Sequence, residues 1–218
     1  MTTAANHHPE LESAGVWKAW TLICVAEASR MGISPMNADQ LHVVLYLANT
    51  LADLYGVTRV RGRVLKKGPL PFYPDVQWEI DRLAHCDVLT IERVDFHSKN
   101  RVTAHYGIGG KGRQIYQALI GSGPEAQRTV QLFRELVSAC FSRFLIETPA
   151  IGPIDANYGD SGQVDGEVVD FAEWADDNRN MELANYLIGQ LKELRPNSRR
   201  DGVRLYCDYL DRALTLHG

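Results

Sequence analysis

Apolar residues recur at helical spacing along most of the chain. A first helix is predicted over residues 16–31, and the breakers Gly32 to Pro35 end it. The residues at roughly helical spacing are Val16, Trp20, Ile23, Cys24 and Met31. Asn37, with Gln40 three residues later, predicts an N-cap and its capping-box partner. A second helix is therefore expected from this cap to Gly56. Its apolar face consists of Leu41, Val44, Leu45, Ala48, Leu51, Ala52 and Tyr55.

The segment after the second helix is basic and then proline-rich. Residues 59–67 read Arg-Val-Arg-Gly-Arg-Val-Leu-Lys-Lys, and residues 68–74 read Gly-Pro-Leu-Pro-Phe-Tyr-Pro. The prolines exclude a helix until Pro74, which suits the first turn of one. We therefore predict a short third helix. Its apolar face consists of Val76, Ile80, Leu83 and Ala84.

Two β-prone runs, 88–94 and 101–108, predict a hairpin, because residues 95–100 between them are turn-forming types. Another short helix is expected at 111–120. The order helix, helix, helix, hairpin, helix is typical of a winged helix-turn-helix, and the segment 105–116 resembles the exit from the wing in such domains. The sequence thus predicts a mainly α fold of the α+β class, with a two-stranded wing and a helical C-terminal region.

The C-terminal part is predicted as three helices with one long interruption. The first, 124–146, has an apolar seam that suits a coiled-coil-like contact as well as an ordinary core. The seam comprises Val130, Phe133, Val137, Cys140 and Phe144. The other helices are expected around 181–194 and from Ser198 onward. Residues 149–178 are rich in Gly, Pro, Asp and Asn and form a segment that is too long to serve only as a connection between helices. We therefore interpret them as a functional or partner-docking loop.

These patterns divide the chain into a flexible tail (1–14), a winged-helix domain (15–122) and a helical region (123–218). No run of about 18 apolar residues occurs and the N-terminus lacks a signal-peptide pattern, so we expect a cytoplasmic protein that does not enter a membrane. The four cysteines lie roughly sixty residues apart without a C-x-x-C pair, and we interpret them as reduced, buried thiols.

Charge is strongly segregated behind a net charge of −4. Residues 59–113 contain eleven Lys or Arg against six Asp or Glu, whereas residues 147–182 contain ten acids and one base. The basic half suits phosphate or an acidic protein surface, and both alternatives stay open. The candidate residues for binding nucleic acid or a partner are Arg59, Arg61, Arg63, Lys66 and Lys67 before the third helix, and Arg93, Lys99 and Arg101 in the wing.

The third helix, which would be the recognition helix, is acidic. Asp75, Glu79, Asp81 and, just after it, Asp87 outnumber Arg82. Such a helix is a poor surface for the major groove, since DNA readers place positive charge there. Winged helices that dock proteins instead of reading DNA have this character.

Motifs for catalysis, metals and cofactors are incomplete. Residues 107–112 match G-x-G-x-x-G, but the strand before them belongs to a hairpin and no second strand with an acidic end follows. Asp155 to Asp160 begins like a calcium loop and then lacks the later ligands. The histidines are scattered, with His42 on the polar side of the second helix and His97 in the wing turn. We therefore predict no enzyme, no catalytic residues, no metal, no cofactor and no small-molecule substrate.

Several segments together resemble a known family. They are Leu41–Ala48, Lys67–Pro71, Trp78–Leu83, the wing, Asn157–Asp160 and Gly166–Trp174. Their succession resembles the small middle component of bacterial ABC-type three-component systems, the Lamassu-type anti-phage operons. The resemblance implies a non-catalytic subunit that assembles with an SMC/Rad50-like ATPase and an effector, often a nuclease, to sense foreign DNA. Winged-helix subunits that associate with SMC ATPases are a second analogy for this role.

Two functional hypotheses follow. In the first, the chain is a docking subunit whose loop 149–178 and helix 124–146 bind the ATPase and effector, while the basic cluster contacts double-stranded DNA. Asp170, Phe171 and Trp174 are its candidate docking residues. In the second, the chain is a winged-helix transcription regulator whose seam at 130–144 forms a homodimer that binds a palindrome.

Overall fold

The computed structural model describes residues 9–60, 63–68, 70–98, 101–143, 151, 168–170, 179–191 and 199–217. In this part the chain is mainly helical with small antiparallel sheets, so the α+β class is confirmed. In chain order the elements are α1 (Pro9–Arg30), β1 (Met36–Asn37), α2 (Ala38–Leu51), a 3-10 helix (Ala52–Tyr55), β2 (Arg63–Lys67), β3 (Leu70–Phe72), α3 (Pro74–His85), β4 (Leu89–Ser98), β5 (Arg101–Ile108), α4 (Gly110–Ile120), α5 (Pro124–Phe141), β6 (Val168–Asp170), α6 (Arg179–Leu191) and α7 (Arg199–His217).

The helix signals of the sequence agree well with the structure. The Asn37 side chain accepts a hydrogen bond from the Gln40 backbone N–H and the Gln40 side chain accepts one from Asn37, so the predicted capping box is confirmed. Pro74 begins α3 as expected. At the N-terminus the prediction differs, because α1 already begins at Pro9, inside the segment 1–14 that was expected to be a tail.

The first sheet contains the predicted hairpin. Strands β4 and β5 pair antiparallel, and the short β1 pairs with the other side of β5, which gives the order β1–β5–β4. Strand β4 is longer than predicted, since it continues through residues that the sequence suggested as turn. The hairpin thereby extends further along the chain than the run 88–94.

A second antiparallel sheet was not predicted. Its order is β3–β2–β6, so the basic stretch supplies β2 and the acidic stretch supplies β6. In this ladder Arg63 lies opposite Asp170 and Val64 lies opposite Val169. The two oppositely charged segments of the chain are therefore joined to each other.

The hydrophobic core is shared by the N- and C-terminal parts of the chain. Trp17 of α1 contacts Tyr73 with ring centroids 5.0 Å apart, and Trp20 contacts Phe133 of α5 at 5.5 Å. Helix α5 also packs against α2 and α7. Buried residues on both sides of the predicted boundary at 122 thus belong to one core.

The apolar seam of α5 is part of this core. Val130, Phe133, Val137 and Cys140 are buried, while Phe144 lies outside the described residues. The ordinary-core interpretation of the seam is therefore the right one. The regulator hypothesis requires this face of α5 to bind a second copy of the chain, but the face is already buried in the core.

Two side-chain predictions are wrong. His42 is buried rather than on a polar surface, because its Nδ1 accepts a hydrogen bond from the Tyr73 backbone N–H and its ring packs on Phe72. Cys86 is exposed, since it follows the last turn of α3, whereas Cys24, Cys140 and Cys207 are buried free thiols as expected. Burial raises the pKa of Cys24 and of Cys140 above the usual thiol value.

Among the described residues, no helix combines the length and apolarity needed to cross a membrane.

Candidate functional site

The exposed face of α3 combines acidic residues with a large aromatic side chain. Val76, Ile80 and Leu83 point into the core, as the periodicity predicts. On the opposite side Trp78 is 65% exposed. Trp78 also lines a shallow depression of about 470 Å³ with Asp81, Arg82, His85 and Cys86.

One acidic residue of α3 is not part of this surface. Glu79 is buried, and it binds Arg82 at 2.8 Å and Lys18 of α1 at 3.4 Å. Asp75, Asp81 and Asp87 are exposed. Because Arg82 is already paired with Glu79, the exposed face of α3 keeps the negative character that the sequence predicted.

The hairpin has one apolar face and one polar face. Residues directly opposite each other in an antiparallel pair share a face, and here Ile91 lies opposite Tyr106, Val94 opposite Ala104, and Phe96 opposite Val102. Nearer the core, Met36, Leu89 and Ile108 belong to this face and are buried. Further out it is uncovered, since Phe96 is 78%, Ile91 55%, Val102 54% and Val94 41% exposed.

Tyr106 connects this apolar face with α3. The Tyr106 hydroxyl shares a hydrogen bond with the Gln77 side chain and lies close enough to Asp81 to be affected by its charge. Burial raises the pKa of Tyr106, the Asp81 carboxylate raises it further, and the Gln77 hydrogen bond opposes both effects. At Tyr106 the apolar face of the hairpin therefore adjoins the side of α3 that carries Gln77 and Asp81. We name Ile91, Val94, Phe96, Val102 and Trp78 together the hairpin–α3 surface.

The other face of the hairpin carries a network of charged and polar side chains. His105 Nε2 lies 2.8 Å from Asp95 Oδ2, and Arg93 Nε lies 3.3 Å from Asp95 Oδ1. His97 Nε2 lies 3.0 Å from the Thr103 hydroxyl. Arg93, a predicted binding residue, is thus already engaged by a carboxylate on its own strand.

The remaining predicted basic residues within the described part of the chain lie in three separate places. Arg59 is paired with Asp53 at 3.3 Å and lines an open groove of about 990 Å³ beside α5. Arg63, Lys66 and Lys67 lie on β2 in the second sheet, whereas Arg101 begins β5 in the first. Arg61 and Lys99 lie outside the described residues.

The predicted docking residues of the acidic loop are described only in part. Asp170 is the last residue of β6, opposite Arg63 in the ladder with β2. Phe171 and Trp174 lie outside the described residues. The structure therefore connects the two predicted charged sites through the backbone of β2 and β6.

The glycine-rich motif 107–112 is used for close packing. It follows an antiparallel strand, and a Cβ placed on Gly112 would lie 2.2 Å from the Val88 carbonyl oxygen. A Cβ on Gly109 would lie 2.6 Å from the Asp87 carbonyl oxygen. Glycine is required here because the start of α4 touches the backbone before β4.

The hairpin–α3 surface was not among the residues selected from the sequence. The turn-forming residues 95–100 predict a turn at Phe96, and Trp78 belongs only to the segments that carry the family resemblance. Apolar residues alternate with other residues over 101–108, and this alternation is the sequence signal that could have placed Val102 on an apolar face.

In the described part of the chain, no cluster of three or more His, Cys, Asp or Glu is arranged to hold a metal ion. Comparison with known protein families, with curated proteins and with solved structures gave no match.

Proposed function

We propose that this chain is a non-catalytic docking subunit built on a winged helix-turn-helix. The order α1, β1, α2, α3, β4, β5, with the sheet order β1–β5–β4, supports this assignment, because a winged helix has a wing hairpin paired with a short strand after its first helix. Strands β2 and β3 would be an insertion before the recognition helix. Residues 15–122 would form this unit and residues 123–218 a helical region that shares its core.

The observation that carries the docking role is the exposed face of the recognition helix. Trp78 is 65% exposed on α3 between the carboxylates of Asp75 and Asp81. Phosphates repel those carboxylates, whereas a protein interface uses a large aromatic side chain as an anchor. The α3 surface therefore favours a protein partner over the major groove.

In the specific form of the proposal, the partner is an SMC/Rad50-like ABC ATPase, and an effector nuclease completes the complex. The support for this partner is the resemblance of the sequence to the middle component of Lamassu-type three-component anti-phage systems. The chain would work in the cytoplasm, without a cofactor or small-molecule substrate of its own.

Co-expression tests this proposal. The chain and the ATPase encoded beside it should elute together in gel filtration at physiological salt, and the ATPase expressed alone should elute later than the complex. Separate elution of the two proteins would contradict the docking role. Nanomolar binding of the chain alone to its own promoter, lost on a half-site mismatch, would instead indicate the transcription regulator.

DNA contact is a second part of the proposal and is tested separately. Arg59 and Arg93 are already paired with Asp53 and Asp95, so the isolated chain should bind double-stranded DNA weakly and without sequence preference. We expect a Kd of about 10⁻⁴ to 10⁻⁶ M at physiological salt, weakening as salt rises. Fluorescence anisotropy with two unrelated duplexes measures this, and a tenfold preference for either would argue against it.

A further inference from the structure

The hairpin carries more apolar surface than its fold uses. Its apolar face is buried at Leu89 and Ile108, where it contacts the core, and then continues uncovered to Phe96 and Val102 at the far end. Burying an apolar side chain of this size contributes roughly 1.5 to 3 kcal/mol, and contiguous exposed apolar patches commonly mark interaction sites. The hairpin–α3 surface therefore has the properties of an interface that is open in the isolated chain.

We propose that the hairpin–α3 surface binds an amphipathic helix of a partner protein, with Lys or Arg side chains of that helix along α3. This inference rests on the proposed docking function and specifies the chemistry of the partner. Its apolar residues would contact Phe96, Val102 and Val94, and its edge would contact Trp78.

A helix fits this surface because helices cover the same face of the sheet nearer the core. Nearer the core, α1 and α2 contact β5 and α3 contacts β4, so one layer of helices packs on one layer of strands. The hairpin extends past the end of that layer. One more helix beside α3 would continue the layer over the uncovered apolar side chains.

The charges around the surface indicate a basic helix. Asp75 and Asp81 are exposed on α3, and Arg82 is paired with Glu79. Arg93 of the hairpin lies on the opposite face, paired with Asp95. Complementary charge at the rim of an interface favours the correct partner and opposes like charge. DNA is disfavoured for this reason, and so is a second copy, which would bring the same aspartates to the same place.

Two model peptides test the proposal on the intact chain. Each is a fluorescein-labelled amphipathic helix of about 18 residues, or about five turns, with Leu on one face and either Lys or Glu on the other. In fluorescence anisotropy the Leu/Lys peptide should bind about tenfold or more tightly than the Leu/Glu peptide. Equal affinity for the two peptides would overturn the predicted charge preference.

Substitutions locate the binding site. Phe96→Ser and Trp78→Ser should each weaken binding of the Leu/Lys peptide about tenfold or more, as removal of an anchor side chain does. Tyr186→Ser is the matched control, because Tyr186 is an exposed aromatic residue on α6, and it should leave the affinity unchanged. Circular dichroism melts confirm that each variant folds. Unchanged binding by folded Phe96→Ser and Trp78→Ser would overturn the proposed site.

The acidic edge is tested with a charge-matched pair of variants. Asp75→Asn with Asp81→Asn should reduce the preference for the Leu/Lys peptide about tenfold, whereas Glu125→Gln with Glu182→Gln changes the net charge equally and should not. An equal effect of both pairs would mean that overall charge alone attracts the peptide, and the proposal would fail.

Failure of this inference is distinguishable from failure of the docking function. If the ATPase complex forms and folded Phe96→Ser leaves it intact, the docking function stands and the hairpin–α3 surface is not its interface. If no ATPase complex forms, the docking function fails, while the peptide results still decide whether the surface binds a basic helix.

Discussion

Glu27 joins three helices at one buried carboxylate. The residue is 1% exposed on α1, and its carboxylate is bound by Arg134 of α5 at 2.9 Å, Arg30 at 2.9 Å and the Tyr116 hydroxyl of α4. Burial alone would raise the pKa of Glu27, but the hydrogen bonds from Arg134 and Tyr116 and the nearby positive charges outweigh it and hold the pKa below its usual value. The ionised carboxylate therefore stabilises the packing of α4 and α5 on α1.

Glu27→Gln should lower the free energy of unfolding by about 2 kcal/mol at pH 7, because charged hydrogen bonds are lost. The folded-state pKa lies below the unfolded one, so this stabilisation is present above about pH 4.3 and is lost as the pH falls through the folded pKa. Urea unfolding at pH 7 and at lower pH measures the difference, which should shrink in acid. Glu182→Gln on the surface is the control. Equal stability of Glu27→Gln and wild type at pH 7 would contradict this role.

Gly112 and Gly110 are neighbouring glycines with opposite expected behaviour. Gly112→Ala places a Cβ 2.2 Å from the Val88 carbonyl oxygen and should cost about 1 to 3 kcal/mol, because the backbone has to shift. Gly110→Ala meets nothing within 4 Å and should be neutral or more stable by up to about 1 kcal/mol. Thermal unfolding of both variants is the measurement. A Gly112→Ala variant as stable as Gly110→Ala would show that the close packing is not needed.

Residue-scale predictions from the sequence succeeded where the interaction is local. The Asn37 capping box and Pro74 at the start of α3 involve residues within one turn, and both are confirmed. The environments of His42 and Cys86 were predicted wrongly, because burial depends on contacts from other elements, such as Tyr73 on His42. The fully buried Glu79 is a third example, since its partner Lys18 is far away in sequence.

At the scale of elements, helices and the hairpin were predictable and the second sheet was not. Apolar periodicity and caps define a helix within a short window, and the β4–β5 hairpin needs only a turn between two adjacent strands. Strand β2 pairs with β6, and residues 64 and 169, which are opposite each other, are far apart in the chain. No local pattern specifies such a partner.

The β2–β6 ladder places an acidic segment beside the basic strand, so it should oppose DNA contact. The double variant Val168→Pro with Val169→Pro removes two backbone N–H groups from β6. At least one of them faces β2, because successive N–H groups alternate sides of a strand. Of the Val64 and Leu65 amides, the one that faces β6 should then exchange hydrogen faster, whereas the other, which faces the β3 side, should not. The affinity for double-stranded DNA should rise severalfold. Val168→Thr with Val169→Thr keeps both N–H groups and serves as the control. Faster exchange without tighter DNA binding would refute the opposing role of β6.

For the whole molecule, the position of α5 determines which assemblies are open to the chain. Its apolar seam is buried against α1, α2 and α7, so the core extends from the N-terminal helices into the C-terminal region. Assembly through that seam would require the core to open. The hairpin–α3 surface, in contrast, is exposed without any rearrangement.

Val137→Ala tests this arrangement. Because Val137 is fully buried, the substitution should lower the free energy of unfolding by about 2 kcal/mol and leave the oligomeric state unchanged. Phe141→Ala, on the same helix but 39% exposed, should cost less. Denaturation curves and light scattering after gel filtration report the two quantities. A shift from dimer to monomer in Val137→Ala would support the homodimer hypothesis instead.

The sequence by itself determined the α+β class, the positions of most helices, the hairpin and the separation of acidic from basic segments. Each of these depends on residues that are neighbours in the chain. Only the tertiary structure decided that β6 pairs with β2, that Glu79 and His42 are buried, and that the apolar face of the hairpin continues past the core. These features arise where distant parts of the chain meet, and the distances between such parts are fixed by packing.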